Sequence, residues 1–168
     1  MTGCDGQGEP YRMQRLGVIA VPDTLAFLRG RWRLERRLAD HRSGTCGWFA
    51  GDAEFAGTAD PGVLRYVERG ELRFGGHTAP AGRTLICAGR PDGGVDVRFA
   101  DGREFHRLDL GSGRWQAQHA CGPDRYAVSY RVLAPDLLEE DWRVTGPRKA
   151  YDSATVLRRL APDVSSLA

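Results

Sequence analysis

From Arg31 onward apolar and polar residues alternate with period two, and Gly, Pro or Asp interrupts the alternation about every 8 to 12 residues. The pattern predicts strands over residues 31–40, 45–56, 63–74, 83–90, 94–100, 103–110, 114–121, 125–133, 137–145 and 150–160, the third either continuous or broken at Gly70. Upstream, Asp23 to Leu28 forms a short amphipathic run with Asp23 as cap and Gly30 as stop, which predicts one short N-terminal helix. About ten antiparallel strands and almost no helix predict an all-β fold, a single antiparallel up-and-down β-barrel, because closure removes exposed edges. Residues 1–20 lack a period and are expected to be a flexible leader, 21–163 the barrel domain and 164–168 a tail.

Turn chemistry phases the strands. Asp101-Gly102 reads as a two-residue turn with Ala100 opposite Arg103, which sets Phe99 against Glu104, Val97 against His106 and Val95 against Leu108. His106 then points inward on a largely apolar face. If Leu110 pairs with Trp115 across the turn Gly111 to Arg114, His106 faces His119 with Cβ atoms about 5 Å apart, and Cys121 shares that face. A bulged loop would shift this pairing. The turn Gly122 to Arg125 carries Pro123 in its second position, and Tyr126, Val128, Tyr130 and Val132 return on the inner face. Trp142 and Val144 join them, as do Trp32, Leu34, Arg36 and Leu38; Glu68 follows if Leu64 and Tyr66 point inward. Each buried polar group without a partner costs about 1 to 3 kcal/mol. Such a set calls for a ligand or ordered water, or for a network that satisfies itself.

Composition narrows the classes. The 22 glycines and 9 prolines fit a chain full of turns. The 23 arginines alternate with acids, the net charge is only +2, and no basic stripe emerges, so nucleic acid is not expected as a partner. No run approaches the roughly 18 apolar residues of a membrane span, and the opening residues lack a secretory pattern. Four cysteines without CxxC spacing are then expected to stay reduced, in a cytoplasmic protein.

The inward residues suggest a lumen that takes a partly apolar small molecule with a polar head. Trp32, Trp115 and Trp142, with Phe99, Arg36 and Cys121, would line it, and His106, His119, Tyr126 and Tyr130 would read the head group. Arg148 and Lys149, in a Gly-Pro-Arg-Lys turn at the rim, present two cations to a carboxylate or phosphate. The alternative is an acid-base enzyme for isomerisation, cyclisation or hydrolysis, in which His106 and His119 hold different protonation states and Tyr126 or Tyr130 polarises a carbonyl. His106, His119 and Cys121 are also zinc-type ligands, but His-x-Cys is short for the common spacings, and neither a metal nor a cofactor is assigned.

Phe27-Leu28-Arg29-Gly30-Arg31-Trp32 resembles the opening strand of lipocalin-type (calycin) barrels, where Gly-x-Trp begins the first strand. The resemblance implies an Arg late in the last strand, Arg158 or Arg159, packed on Trp32. A ten-stranded barrel with an inward His also resembles nitrobindin-type haem proteins, although the rest of their pattern is missing. More specifically, the sequence resembles a family of small proteins of unknown function through 27–32, 101–110 (DGREFHRLDL), 119–126 (HACGPDRY) and 142–149 (WRVTGPRK). That likeness spans about residues 25 to 160 and implies no activity.

Overall fold

The computed structural model describes residues 17–161. The leader expected over 1–20 lies outside the described residues up to residue 16, as does the tail expected over 164–168. A short helix, α1 (Thr24–Leu28), precedes ten strands: β1 (Gly30–Asp40), β2 (Thr45–Gly57), β3 (Val63–Phe74), β4 (His77–Gly89), β5 (Val95–Phe99), β6 (Glu104–Leu108), β7 (Arg114–Cys121), β8 (Asp124–Ala134), β9 (Leu137–Thr145) and β10 (Ala150–Arg159). They form one antiparallel sheet in the order β6-β5-β4-β3-β2-β1-β10-β9-β8-β7. Each strand pairs with its sequence neighbour except across β6 and β7, and β1 pairs with β10 to curl the sheet into a nearly closed up-and-down barrel.

Alternation carries the core. Leu34, Leu64, Val95, Val132, Leu138 and Val144 are at most 2 % exposed and sit on inward positions of their strands. One end of the barrel is stoppered by α1 and the chain before it. Asp23 caps the helix by accepting from the Ala26 N–H at 2.9 Å. Thr24 donates its N–H to Gly93 O at 3.0 Å and accepts from the Leu110 N–H at 3.0 Å, and the Val21 N–H bonds Leu110 O. The opposite end, the mouth, is ringed by the β1–β2, β3–β4, β5–β6, β7–β8 and β9–β10 turns.

Several expectations need correction. Strand β3 runs unbroken through Gly70, which faces Gly51 of β2; a Cβ on either glycine would meet a backbone oxygen at 2.2 Å, so the pair lets the two strands cross closely. Strand β4 starts at His77 rather than residue 83, despite Pro80. It pairs with β5 only over Leu85–Gly89, so Pro80 lies on a free edge where a missing N–H costs no ladder bond.

The Asp101-Gly102 turn is longer than expected. Gly102 donates to Phe99 O and the Phe99 N–H bonds Arg103 O, making Ala100-Asp101-Gly102 a three-residue loop with Gly102 at φ +87°. Val95 opposite Leu108 and Val97 opposite His106 hold, but Arg98, not Phe99, faces the Glu104 region, and Phe105 is the extra residue of the bulge. The β7–β8 turn centres on Gly122-Pro123, because Cys121 pairs with Asp124.

The largest departure is at the β6–β7 seam, where no ladder forms, so His106 and His119 are not cross-strand partners. The seam is bridged by a side chain, with Trp115 donating Nε1–H to Arg107 O at 2.6 Å beneath the Arg107 guanidinium. Period-two phasing cannot foresee this, because it places inward residues without deciding which edges bond.

Candidate functional site

Nine inward side chains form a polar and aromatic cluster in the lumen. Arg36 of β1 grips Glu68 of β3 with two bonds of 2.8 and 3.0 Å and donates Nε–H to Thr155 of β10 at 2.9 Å. Tyr66 donates its hydroxyl proton to the same Glu68 carboxylate. Arg83 of β4 faces Glu68 Oε2 at 3.2 Å and reaches Glu140 of β9 at 3.4 Å. Trp142 donates its indole N–H to Glu140 at 2.7 Å, and His106 Nε2 lies 3.0 Å from the Tyr130 hydroxyl. Two cations thus balance two carboxylates, as buried charges require.

The surroundings set protonation. Burial pushes the Glu68 carboxyl up, but the Arg36 fork, the Arg83 charge and the Tyr66 hydroxyl outweigh it, and its pKa falls below the ordinary carboxylate value. Burial raises the Tyr66 and Tyr130 phenols, which stay protonated, and pushes the Cys87 thiol up to about 12, which leaves it unreactive. His106 is lowered from 6.5 to about 4, chiefly by burial, with the Arg83 and His119 charges adding and Glu140 opposing.

A pH dependence follows from His106. The unfolded chain protonates this imidazole before the folded one does, so stability is complete above about pH 6.5 and is lost as pH falls toward 4, by up to about 3 kcal/mol. Urea unfolding of the protein and of His106→Phe at pH 7 and pH 4.5 should show the variant losing markedly less stability. Parallel losses in both would mean that His106 titrates normally.

Phe105 completes the site. Its ring stacks flat on Trp142, with centroids 5.1 Å apart and planes 3° from parallel, and meets Phe99 at 4.6 Å. His106 and His119 both rest edge-on against Phe105, at 4.8 and 5.6 Å. The space enclosed with His106, Tyr130, Glu140 and Trp142 is a cavity of about 40 Å³, enough for ordered water but not for a whole ligand. His106 lines this cavity, and its Nδ1 is buried without a hydrogen-bond partner among the described residues.

The other expected site residues spread out. Trp32 is wholly buried near the stoppered end and bonds Leu28 O at 2.8 Å, so it does not line the cavity. Arg159, the second of the two expected arginines, covers its ring at 4.1 Å. Trp115 closes the seam, Phe99 stands half-buried between Phe105 and the Arg103 guanidinium, and Cys121, expected inside, is exposed at the end of β7. Toward the mouth, Lys149 donates to Tyr126 OH and lies 2.7 Å from both that oxygen and Asp124 Oδ2, while Arg148 is exposed. His119 reaches the Tyr126 ring at 6.1 Å.

Cys46 is disulfide-bonded, against the expectation of four reduced thiols, while Cys87 and Cys121 are free. That expectation rested on the size of the core and the lack of a secretory pattern, and neither decides which thiols come within bonding distance. Among the described residues no three His, Cys, Asp or Glu side chains gather as a metal set, and no helix is long and apolar enough to cross a membrane.

Four residues of the site escaped the sequence reading. Glu140, Arg83 and Thr155 carry the parity of Trp142, of Leu85 and Cys87, and of Leu157, a signal that was available. Phe105 has the wrong parity and turns inward only through the bulge.

The pattern of a family of unknown function (DUF6314) matches residues 28–159. No curated protein matches the sequence. Among solved structures, an S-type phycobiliprotein lyase, CPES, from Guillardia theta superposes with a TM-score of 0.62 at 11% identity, over 86% of this chain and 94% of that one. A redesigned β-barrel, mFAP1, bound to DFHBI, matches at a TM-score of 0.43 and 12% identity, over 80% and 97% of the two chains. At these identities the lyase match shows a shared barrel fold.

Proposed function

The chain belongs to the DUF6314 family of unknown function, and from that premise we propose that it is a small-molecule-binding barrel whose lumen takes a partly apolar ligand with a polar head. The observation that carries the reading is the buried, unpartnered His106 Nδ1 beside the Phe105–Trp142 stack. A core selected only for stability gains nothing from an unsatisfied imidazole atom, which costs about 1 to 3 kcal/mol. Aromatic walls with a few convergent polar groups are the ordinary make-up of a ligand site. The ligand would approach from the mouth, past the free edge of β4, where a third of the Arg83 side chain meets solvent.

An acid-base enzyme built on His106 and His119 finds less support. The two rings are held apart on Phe105, and His106 is bonded to Tyr130 instead.

The test is an NMR screen of the full chain against a panel of partly apolar fragments. Binding at sub-millimolar concentration, with shifts at Phe105, His106 and the Trp142 indole, is the expected result. A panel that moves none of these signals, in the protein and in Phe105→Ala alike, would mean a filled barrel and end the proposal.

A further inference from the structure

The protonation of His106 can be assigned from its partner. The Tyr130 hydroxyl is buried and has one hydrogen-bond partner among the described residues, His106 Nε2 at 3.0 Å. Its phenol keeps its proton, and a buried hydroxyl proton needs an acceptor. If the imidazole donated from Nε2, the tyrosine proton would be stranded. The economical arrangement has Tyr130 donating to Nε2, which places the imidazole proton on Nδ1.

Nδ1–H is therefore a donor, buried without an acceptor among the described residues, on a ring that lines the cavity. The neighbouring charges define which acceptor it can take. Arg36 is paired with Glu68 and Arg83 with Glu68 and Glu140, so the cluster offers no unpaired cation to a carboxylate, and the Glu140 carboxylate lines the same cavity. An anionic ligand oxygen would bring a third negative charge into a balanced set. An uncharged carbonyl oxygen needs only a donor.

We infer, resting on the ligand-binding reading above, that the site selects a planar, uncharged carbonyl compound, whose oxygen accepts from His106 Nδ1–H while its ring lies on the face of Trp142. The cavity admits the oxygen atom but not the ring, so the ring takes the place that Phe105 holds on Trp142. Phe105 is suited to yield. It is the extra residue of a bulge, on a strand whose other edge forms no ladder, and its displacement breaks few backbone bonds.

Three probes of similar shape separate the terms: 2-quinolone, which carries an uncharged ring carbonyl; quinoline-2-carboxylate, which is anionic; and naphthalene, which lacks an oxygen. The expected order is 2-quinolone tightest, with roughly tenfold weaker binding to His106→Phe, the value of one hydrogen bond, and no such loss for naphthalene. Nitrogen-15 NMR of the unmodified protein supplies a readout independent of any variant, with the His106 proton expected on Nδ1. A proton on Nε2, quinoline-2-carboxylate binding tightest, or 2-quinolone binding equally to His106→Phe would overturn the inference while leaving a binding barrel standing. Failure of all three probes, in the protein and in Phe105→Ala, would overturn both.

Discussion

Replacing Glu68 by Ala is expected to cost about 3 to 5 kcal/mol of unfolding free energy, because it leaves two arginines inside the barrel without their shared counter-charge. Glu68 is the hub of the cluster. Arg36 holds it with two bonds, Arg83 faces it at 3.2 Å and Tyr66 donates to it, and its side chain is only 4 % exposed. Removing the carboxylate strands the Arg36 guanidinium, whose side chain is 12 % exposed, more severely than Arg83, which can turn toward the mouth. The fourfold change Arg36→Met, Glu68→Gln, Arg83→Met, Glu140→Gln should be much milder than Glu68→Ala, since it removes both cations and both carboxylates together. The amide oxygens at positions 68 and 140 still accept from the Tyr66 hydroxyl and the Trp142 indole in that variant. Urea midpoints with unchanged m-values would establish both results. A loss below about 1 kcal/mol for Glu68→Ala, the value of an exposed pair, would mean that water reaches the cluster in solution.

Trp32→Ala is the second large effect, again about 3 to 5 kcal/mol, and it distinguishes a structural tryptophan from a ligand wall. The ring is wholly buried against the Phe27 ring, and its N–H bonds Leu28 O. Arg159 covers its face and ties the end of β10 to the last turn of α1 and the residue after it, donating to Phe27 O and to Arg29 O at 2.7 Å. The expected signature is lost stability with unchanged ligand affinity at temperatures where the variant is folded. Weakened binding without lost stability would put Trp32 in the lumen wall.

Much of the barrel was legible because it rests on local rules. Nine of the ten strands lie within about two residues of where alternation and turn residues put them, and β4 begins six residues earlier than expected, running through Pro80. Whether proline ends a strand depends on whether its N–H side meets another strand, which a single strand cannot reveal. The inward polar set was partly legible for the same reason. Arg36, His106, Tyr130 and Trp142 fall on inner positions by parity, and so do Glu140 and Arg83 once parity is followed to the end of each strand.

The sequence by itself determined the fold class, the strand count, the capped helix and which side chains of most strands face inward, because these follow from interactions between residues close in the chain. Tertiary structure alone decided who meets whom inside. The Arg36–Glu68 pair joins residues 32 positions apart and His106–Tyr130 residues 24 apart, through strand order and curl rather than local pattern. A single extra residue at the Phe105 bulge reversed one side chain's direction and set a ring between the two histidines. The physical reason is that period-two alternation fixes a direction for each side chain, whereas a contact needs strand stagger, bulges and closure together, and those are settled only when the whole sheet packs on itself.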